Sequence, residues 1–267
     1  MSTFSEFLSD GATLTRRNVI KNRRTPDVIV WTIMAPVSFA LLFAFVFGSA
    51  IDVPGSNYRE YLIAGILVQT MLNTSLNTGA AIADDMKKGL IDRFRSLPIS
   101  PASVLVGRTT SDMLNNILVI AIMAVTGLLI GWRVRSSFLE AAAGFGMLLL
   151  FAYACAWITA WLGVGAKSPE ALANGLMMLT MPMMFISNAF VPSDGLPSVL
   201  RVIAEWSPVS AVVGATRELF GNNPPGATAS GAWPMEHPVL ASLGWVTLIL
   251  VVFIPLAVSR FNKSVSQ

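Results

Sequence analysis

The sequence contains few charged residues, one cysteine and one histidine. Charged side chains make up 12% of its 267 residues, about half of the roughly 25% that is typical of soluble globular proteins. So few charges cannot cover the surface of a soluble domain, which excludes an ordinary cytosolic enzyme, a coiled coil and a disordered chain. The single Cys155 excludes an intrachain disulfide framework. Together with the single His237, it also excludes the usual zinc sites and nucleophile–histidine pairs.

The sequence contains long apolar stretches between its few charged residues. Hydrophobic residues make up 54% of the chain, and the mean hydropathy is +0.65. Six uncharged stretches are 20 to 26 residues long, and a helix needs about 20 residues to cross a 30 Å hydrocarbon core. Because backbone polar groups in lipid must be satisfied within the segment, we expect helices. The uncharged stretches are 28–51, 61–83, 113–132, 141–166, 171–193 and 238–259. Three of the predicted spans also include flanking residues before the uncharged stretch, so the six predicted spans are 28–51, 61–83, 103–132, 138–166, 170–193 and 238–259.

The basic residues are divided unequally between the two sides that these spans define. With the N-terminus in the cytoplasm, 13 of the 18 Lys and Arg residues fall on the cytoplasmic side and five fall outside. Cytoplasmic loops carry an excess of Lys and Arg, so both termini are predicted to be cytoplasmic in a multi-pass protein of the plasma (inner) membrane. The pI of about 9.3 therefore indicates contact with the lipid bilayer and no nucleic-acid partner.

Two segments outside the spans have patterns of their own. Residues 1–25 place apolar side chains at helical spacing among basic ones, which predicts an interfacial helix on the inner leaflet, with a frayed basic tail as the alternative. In the extracellular region 194–237, prolines break the chain into short pieces. We predict that 195–220 forms two short helices that enter the membrane edge as re-entrant helices or lie on it, and a folded external loop is the alternative.

The cytoplasmic segment 84–98, between spans 2 and 3, is amphipathic. Asp84 and Asp85 lie at its predicted N-terminus, where the helix dipole favours negative charge, and Pro98 ends the helix. Such a helix either lies among lipid headgroups or transmits a push from a cytoplasmic partner into the membrane, and periodicity alone does not separate the two. One face carries the apolar side chains Met86, Leu90, Phe94 and Leu97.

Two separated blocks of sequence carry a family resemblance. The first is the run 89–100, Gly-Leu-Ile-Asp-Arg-Phe-Arg-Ser-Leu-Pro-Ile-Ser, and the second is 186–192 followed by Leu196-Pro197, Trp206-Ser207-Pro208 and Arg217. They resemble the cytoplasmic-loop signature and the stretch after span 5 of ABC-2 type permeases, in the daunorubicin-resistance (Drr-type) branch. Ser207 departs from the Asn that is common before that proline. The resemblance covers essentially the whole chain, including the layout of six spans.

The resemblance implies the transmembrane permease subunit of an ATP-binding cassette exporter, with no catalytic residue, metal or cofactor of its own. ATP and Mg²⁺ would bind to a separate nucleotide-binding ATPase subunit, and a second permease subunit would complete a homodimer or heterodimer. Closure of the ATPases would push the coupling helix 84–98 and open the permease outward by alternating access. The cargo implied is an amphipathic or lipophilic drug, antibiotic or lipid. The coupling residues expected are Asp84, Asp85, Lys88, Gly89, Leu90, Asp92, Arg93, Phe94, Arg95, Leu97 and Pro98.

The sequence offers few candidates for nucleotide binding or for proton coupling. The run 163–168 is similar to the end of a P-loop, but Ala166 stands where Gly is required and the run closes a span. The six uncharged stretches hold no titratable carrier for proton coupling, and Asp112 is expected to pair with Arg108 one turn earlier. A polysaccharide or glycolipid ABC export permease, a secondary ion-coupled multidrug transporter and a membrane scaffold are the alternatives.

Two polar or adaptable surfaces are candidates for a translocation path. Gln69, Asn73 and Asn77 share one face of span 2. Because polar groups in lipid must face protein or a hydrated cavity, these amides either line a path near the dimer axis or hydrogen-bond to neighbouring helices. Met181 and Met184 lie in a methionine-rich stretch that either adapts to varied lipophilic cargo or serves ordinary packing. The candidate residues of the re-entrant region are Pro192, Pro197, Pro208, Arg217 and Glu218.

Overall fold

The computed structural model describes residues 26–47, 57–88, 101–223 and 231–266, and the regular structure within these ranges is entirely helical. The predicted all-α class is therefore confirmed. A π-helical turn, Phe43–Phe47, continues the first helix, and a short 3-10 turn, Ser193–Gly195, follows the fifth. The α-helices of these ranges are α1 (Pro26–Leu42), α2 (Tyr58–Lys87), α3 (Pro101–Ile130), α4 (Phe138–Val164), α5 (Pro169–Ile186), α6 (Ser198–Glu205), α7 (Pro208–Leu219), α8 (Trp233–Glu236) and α9 (Pro238–Ser266).

The long helices overlap the predicted spans, α1 to α5 with the first five and α9 with the sixth. Helix α5 ends at Ile186, seven residues before the predicted end of span 5. Three of them, α3, α4 and α9, are long and apolar enough to cross a membrane by length and composition, over 104–130, 138–164 and 238–264. The helix α5 has only 18 residues, and α2 carries polar side chains along its length. Hydropathy therefore supports three of the six spans directly.

The position of α2 explains how it tolerates its polar residues. This helix lies in the middle of the bundle, in contact with α1, α3, α4, α5 and α7. Its side chains Leu62, Ile66 and Leu67 are fully buried, and they belong to the same apolar cluster as Leu148 and Phe151 of α4. Because most of this helix is surrounded by protein, its hydroxyl groups find partners within the bundle, and it needs less hydrophobicity than a helix that faces lipid on all sides.

Small residues bring the backbones of α2 and α4 together. A Cβ atom added at Gly79 would lie 2.6 Å from the carbonyl oxygen of Thr159, and one at Gly163 would overlap the carbonyl of Gly79. Ser75 Oγ donates to the carbonyl of Ala152 at 2.9 Å, and Thr159 Oγ1 donates to that of Ser75 at 2.6 Å. In membranes, close packing and interhelical hydrogen bonds of this kind hold helices together, since lipid is as apolar as the side chains.

One end of the bundle, which we call the cap end, consists of 131–137, 187–223 and 231–237. Here the two short helices predicted for 195–220 are present as α6 and α7, with Pro197 directly before α6 and Pro208 as the first residue of α7. Most of α7 is buried, in contact with α2, α4 and α9. It is therefore packed into the bundle, which is not the behaviour of a loose external loop.

The opposite end, which we call the tail end, consists of 84–88, 101–104, 165–168 and 260–266. Helix α2 continues through Lys87, so Asp84 and Asp85 lie in its last turn. The expectation that they begin a separate helix is not met, because the chain stays helical across the predicted end of span 2 at residue 83. The rest of the predicted coupling helix, and the predicted interfacial helix 1–25, lie outside the described residues.

Candidate functional site

The polar face predicted on α2 lies at the surface of the chain. Asn73 and Asn77 are exposed and Gln69 is half-buried, although nearly every neighbour on α2 is buried. Within the described part of the chain, these three amide groups make no hydrogen bond to another residue. Among the described helices, the alternative of hydrogen bonding to neighbouring helices has no support at these three residues. This amide row, Gln69, Asn73 and Asn77, needs a partner outside the chain or a hydrated space.

The threonines next to the amide row are buried and hydrogen-bonded. Thr70 Oγ1 donates to the carbonyl of Ile66 at 2.7 Å, and Thr74 Oγ1 donates to that of Met71 at 2.9 Å. Both of these bonds stay within α2. The rotation of the helix thus separates two adjacent polar rows, so that one is satisfied inside the protein and the other faces outward.

The third threonine of the buried row connects α2 to α3. Thr78 Oγ1 donates to Asp112 Oδ2 at 2.7 Å, and Arg108 Nε donates to the same oxygen at 3.2 Å. The expected pairing of Asp112 with Arg108 is confirmed, and both side chains are largely buried. With two donors on one carboxylate oxygen, Asp112 serves as a structural tie between the two helices.

The methionines proposed for the path do not share one environment. Met181 is 42% exposed, whereas Met184 is 2% exposed and belongs to the central apolar cluster. Met177 and Met178 are also exposed. The adaptable surface of α5 is therefore formed by Met177, Met178 and Met181, while Met184 packs inside the bundle.

Arg217, at the end of α7, is buried at the cap end with 2% exposure. Its Nε donates to the carbonyl of Tyr61 at 3.1 Å, and its Nη2 donates to those of Asn188 and Ala189 at 2.9 and 3.1 Å. The guanidinium carbon lies 3.4 Å from the centre of the Tyr61 ring, a cation–π arrangement. Tyr61 Oη also donates to the carbonyl of Asn188 at 2.7 Å.

These contacts make Arg217 a junction of three elements: α7, the start of α2 and the turn after α5. The backbones are close here, because a Cβ atom at Gly65 would overlap the carbonyl of Ala189. The other predicted residues of this region have simpler places. Pro192 precedes the 3-10 turn Ser193–Gly195, and Glu218 is exposed next to the buried Arg217.

A second set of contacts at the cap end was not foreseen from the sequence. Arg135 forms a forked ion pair with Glu60 of α2, at 2.8 Å from Nη2 to Oε1, and this contact raises the pKa of Arg135 above its ordinary value. Trp132 Nε1 donates to Asn222 Oδ1 at 2.8 Å. Gly221 has a φ of +69°, a conformation that glycine adopts without strain. The loop between α3 and α4 is thereby joined to α2 and to the end of α7.

At the tail end, the described coupling residues lie on the last turn of α2 and the residue that follows it. Lys88 Nζ forms an exposed ion pair with Asp84 Oδ2 at 2.6 Å, and this hydrogen bond raises the pKa of Lys88. The charge of Glu170, at the start of α5, interacts with those of Lys87 and Asp84. The remaining coupling residues, Gly89, Leu90, Asp92, Arg93, Phe94, Arg95, Leu97 and Pro98, lie outside the described residues.

The segment that is similar to a P-loop has a different structure. Gly163 belongs to α4, Gly165 follows the end of that helix, and Ser168 Oγ caps the start of α5 by accepting from the backbone N–H of Ala171 at 3.1 Å. A helix–turn–helix connection does not form the strand-to-helix loop that cradles phosphates. Its interpretation as a chance similarity is confirmed.

The described residues form a helical bundle in which three helices are apolar enough to cross a membrane, and sequence comparison identifies the family. The sequence model of the ABC-2 type transporter family matches residues 11–220, most of the chain. The protein therefore belongs to the ABC-2 type transporter family, as the two sequence motifs predicted.

Three individual relatives are each named as a permease. The chain is 30% identical to the daunorubicin resistance ABC transporter permease protein DrrB1 of Streptomyces coeruleorubidus, over 94% of this chain and 86% of that protein. It is 22% identical to the probable doxorubicin resistance ABC transporter permease protein DrrC of Mycobacterium tuberculosis, over 94% and 89%. It is 24% identical to the putative transport permease ycf38 of Cyanophora paradoxa, over 81% and 76%.

Proposed function

We propose that this chain is the transmembrane permease subunit of an ABC exporter that moves an amphipathic or lipophilic compound out across the plasma membrane. The observation that carries the proposal is the family match over 11–220, together with relatives named for daunorubicin and doxorubicin resistance. The cargo is a drug-like compound or a lipid, and polysaccharide or glycolipid export is the second candidate within the same family.

The topology proposed is six spans, α1 to α5 and α9, with both termini in the cytoplasm. The cap end would then face outward and the tail end would face the cytoplasm, in keeping with the excess of Lys and Arg on the cytoplasmic side. The buried α7 would be a re-entrant helix that fills the outer mouth of the bundle. Attachment of a reporter at either terminus, with protease treatment of sealed cells, tests the orientation, because only external reporters are digested.

The amide row supports an amphipathic cargo. Gln69, Asn73 and Asn77 offer hydrogen bonds without charge, and they face away from their own chain. If the row lines a path beside a second permease subunit, its amides meet water, cargo and protein, which satisfies them better than lipid does. The uncharged row also provides no titratable group for ion coupling, so it does not favour a secondary transporter.

A cysteine scan tests the path. Cys155 is the one cysteine in the sequence and is buried, so cysteines introduced at 69, 73 and 77 can be labelled over a low background. We expect a water-soluble thiol reagent to label them in the assembled transporter, and cargo to slow the labelling. A cysteine at Leu118, which is exposed on α3, is the control for a lipid-facing position. Labelling of the amide row that is no faster than at 118 would contradict the path.

The proposed energy source is a separate ATPase subunit that carries ATP and Mg²⁺ and binds to the segment 84–98. Purification of the permease with its ATPase, followed by reconstitution into vesicles, tests the function directly. We expect ATP-dependent accumulation of a fluorescent amphipathic drug, and stimulation of ATP hydrolysis by the cargo. Failure of an ATPase to co-purify under mild conditions, or transport that continues without ATP, would refute the proposal.

Substitution in the coupling segment separates insertion from transport. Leu90→Glu places a charge on the predicted apolar face, so transport should be lost while the amount of inserted permease stays the same. The matched control is Lys167→Glu, which changes an exposed charge between α4 and α5 at the same end of the bundle but outside the segment 84–98, and should preserve assembly with the ATPase. Normal transport by the Leu90 variant in an intact complex would exclude this coupling role.

A further inference from the structure

Three tryptophans surround an apolar groove at the cap end of α9. Trp206 follows α6, Trp233 begins α8, and Trp245 lies in the second turn of α9, with Leu240, Gly244 and Leu248 along the floor. The groove has a volume of about 240 Å³. Among the described residues, no charged side chain lines it, so these residues offer no counter-ion to a charged ligand.

The groove continues onto an exposed apolar surface of α9. Beyond Leu248, α9 exposes Val251, Val252 and Leu256, and only 22% of its apolar window is buried. Because α9 is apolar enough to cross a membrane and this part of it carries no charge, we expect hydrocarbon to cover that surface. From Leu240 to Leu248 the groove runs about 12 Å along the helix, so it occupies less than half of a core about 30 Å thick.

The size of the groove and its polar groups limit which kinds of ligand can bind there. Pockets for drug-sized ligands measure about 300–1,000 Å³, so the groove is too small to enclose a multi-ring drug, whereas part of a narrow linear chain can lie along it. Within the described residues, the indole N–H groups of Trp206, Trp233 and Trp245 donate to no protein acceptor. Tryptophan is enriched at membrane–water interfaces, where its ring meets hydrocarbon and its N–H meets polar groups.

We infer that this tryptophan groove binds one acyl chain of a phospholipid, in the leaflet that surrounds the cap end. The chain lies against Leu240, Gly244 and Leu248, and the indole N–H groups face the ester oxygens at its upper end. The bound chain joins α6 and α8 to α9, in addition to the protein contacts there. In the proposed orientation this is the outer leaflet, but the site depends on neither the cargo nor the ATPase.

Photochemical labelling tests the site. The full-length permease is reconstituted into phosphatidylcholine vesicles that contain a small fraction of phosphatidylcholine with a diazirine on one acyl chain. After photolysis, peptide mass spectrometry should find lipid adducts on 233–248 severalfold more often than on the exposed face of α3 at 114–129. Equal labelling of the two regions would show bulk lipid contact alone and would overturn the inference.

A substitution within the groove provides the matched comparison. A Cβ atom at Gly244 meets no atom within 4 Å, so Gly244→Phe can fill the groove without a backbone clash. We expect this variant to lose the adducts on 233–248 while labelling of 114–129 in the same sample stays constant. Gly146→Phe, at a glycine of α4 with equally open surroundings, should keep both. Unchanged adducts in the Gly244 variant would refute the site.

The remaining outcomes also decide between occupants. Disulfide cross-linking of two permeases through a cysteine placed at 248 would assign the groove to a second copy. Loss of lipid labelling on addition of an amphipathic drug would assign it to cargo, and either result overturns the lipid site. Should Gly244→Phe fail to insert, quenching of tryptophan fluorescence by phosphatidylcholine with brominated acyl chains replaces it. We expect Trp245→Phe to remove a larger share of the quenchable signal than Trp157→Phe, whose ring is buried in the bundle, and equal shares would refute the site.

Discussion

Replacement of Arg217 by methionine should destabilise the cap end, because three backbone carbonyls lose a charged donor. Methionine preserves the apolar stem and removes the guanidinium group. A hydrogen bond from a charged group contributes about 1.5–3 kcal/mol, but the three are not equivalent. The carbonyl of Asn188 keeps its bond from Tyr61 Oη, and the carbonyl of Tyr61 also accepts within α2. Ala189 therefore suffers the largest loss.

We expect the free energy of unfolding to decrease by about 2–4 kcal/mol. The methionine variant loses the hydrogen bonds, but it no longer has to bury a charge, and this gain offsets part of the loss. The net loss corresponds to a decrease of roughly 4–16 °C in Tm. Arg217→Lys should lie between wild type and the methionine variant. Lysine keeps the charge but has a single nitrogen. That nitrogen cannot reach the carbonyls of α2 and of 187–190 at the same time, as the forked guanidinium group does.

The lone buried thiol provides the assay. Cys155 reacts with a thiol-specific fluorescent dye only when the bundle opens, so heating the purified permease with the dye reports unfolding. Arg133→Met is the control: Arg133 also donates to backbone carbonyls, of Leu128 and Trp132, but its side chain is exposed, so we expect less than about 1 kcal/mol. A Tm for the Arg217 variant equal to that of this control would refute the reasoning.

Three further predictions concern the α2 helix. Gly79→Leu should prevent the close approach of α2 to α4, so that the protein no longer folds. The measurement is the amount of monodisperse protein after purification, and Gly146→Leu should leave that amount unchanged. Glu60→Gln should lower the Tm by less than Arg217→Met does, and by less still in high salt, since Arg135 is 63% exposed; a decrease as large as that of Arg217→Met would contradict this. Asn73→Leu should leave the Tm unchanged and lower the rate of drug transport, and a normal rate would remove Asn73 from the path.

The positions of the long helices could be predicted because they depend on local composition. Uncharged stretches of about 20 residues must be helical in lipid, whatever surrounds them. The prolines before α6 and at the start of α7 act in the same local way, since proline cannot continue a preceding helix. The extension of α2 through Lys87 was missed, because charged residues end a predicted span but do not end a helix.

The directions in which side chains face could not be predicted in this way. Helical spacing placed Gln69, Asn73 and Asn77 on one face, but periodicity does not show whether that face meets another helix of the chain. The same ambiguity grouped Met181 with Met184, although the structure buries the second and exposes the first. Rotation about the helix axis is decided by neighbours that are distant in sequence.

The sequence by itself determined the membrane class, the places of the helices and the family, because each depends on composition or on short motifs within one segment. Tertiary structure alone decided that Arg217 is buried among the carbonyls of two other elements, that α2 occupies the centre, and that three tryptophans from separate elements form one groove. These features arise from contacts between residues that are up to 156 positions apart, and no local pattern in the chain encodes such a contact.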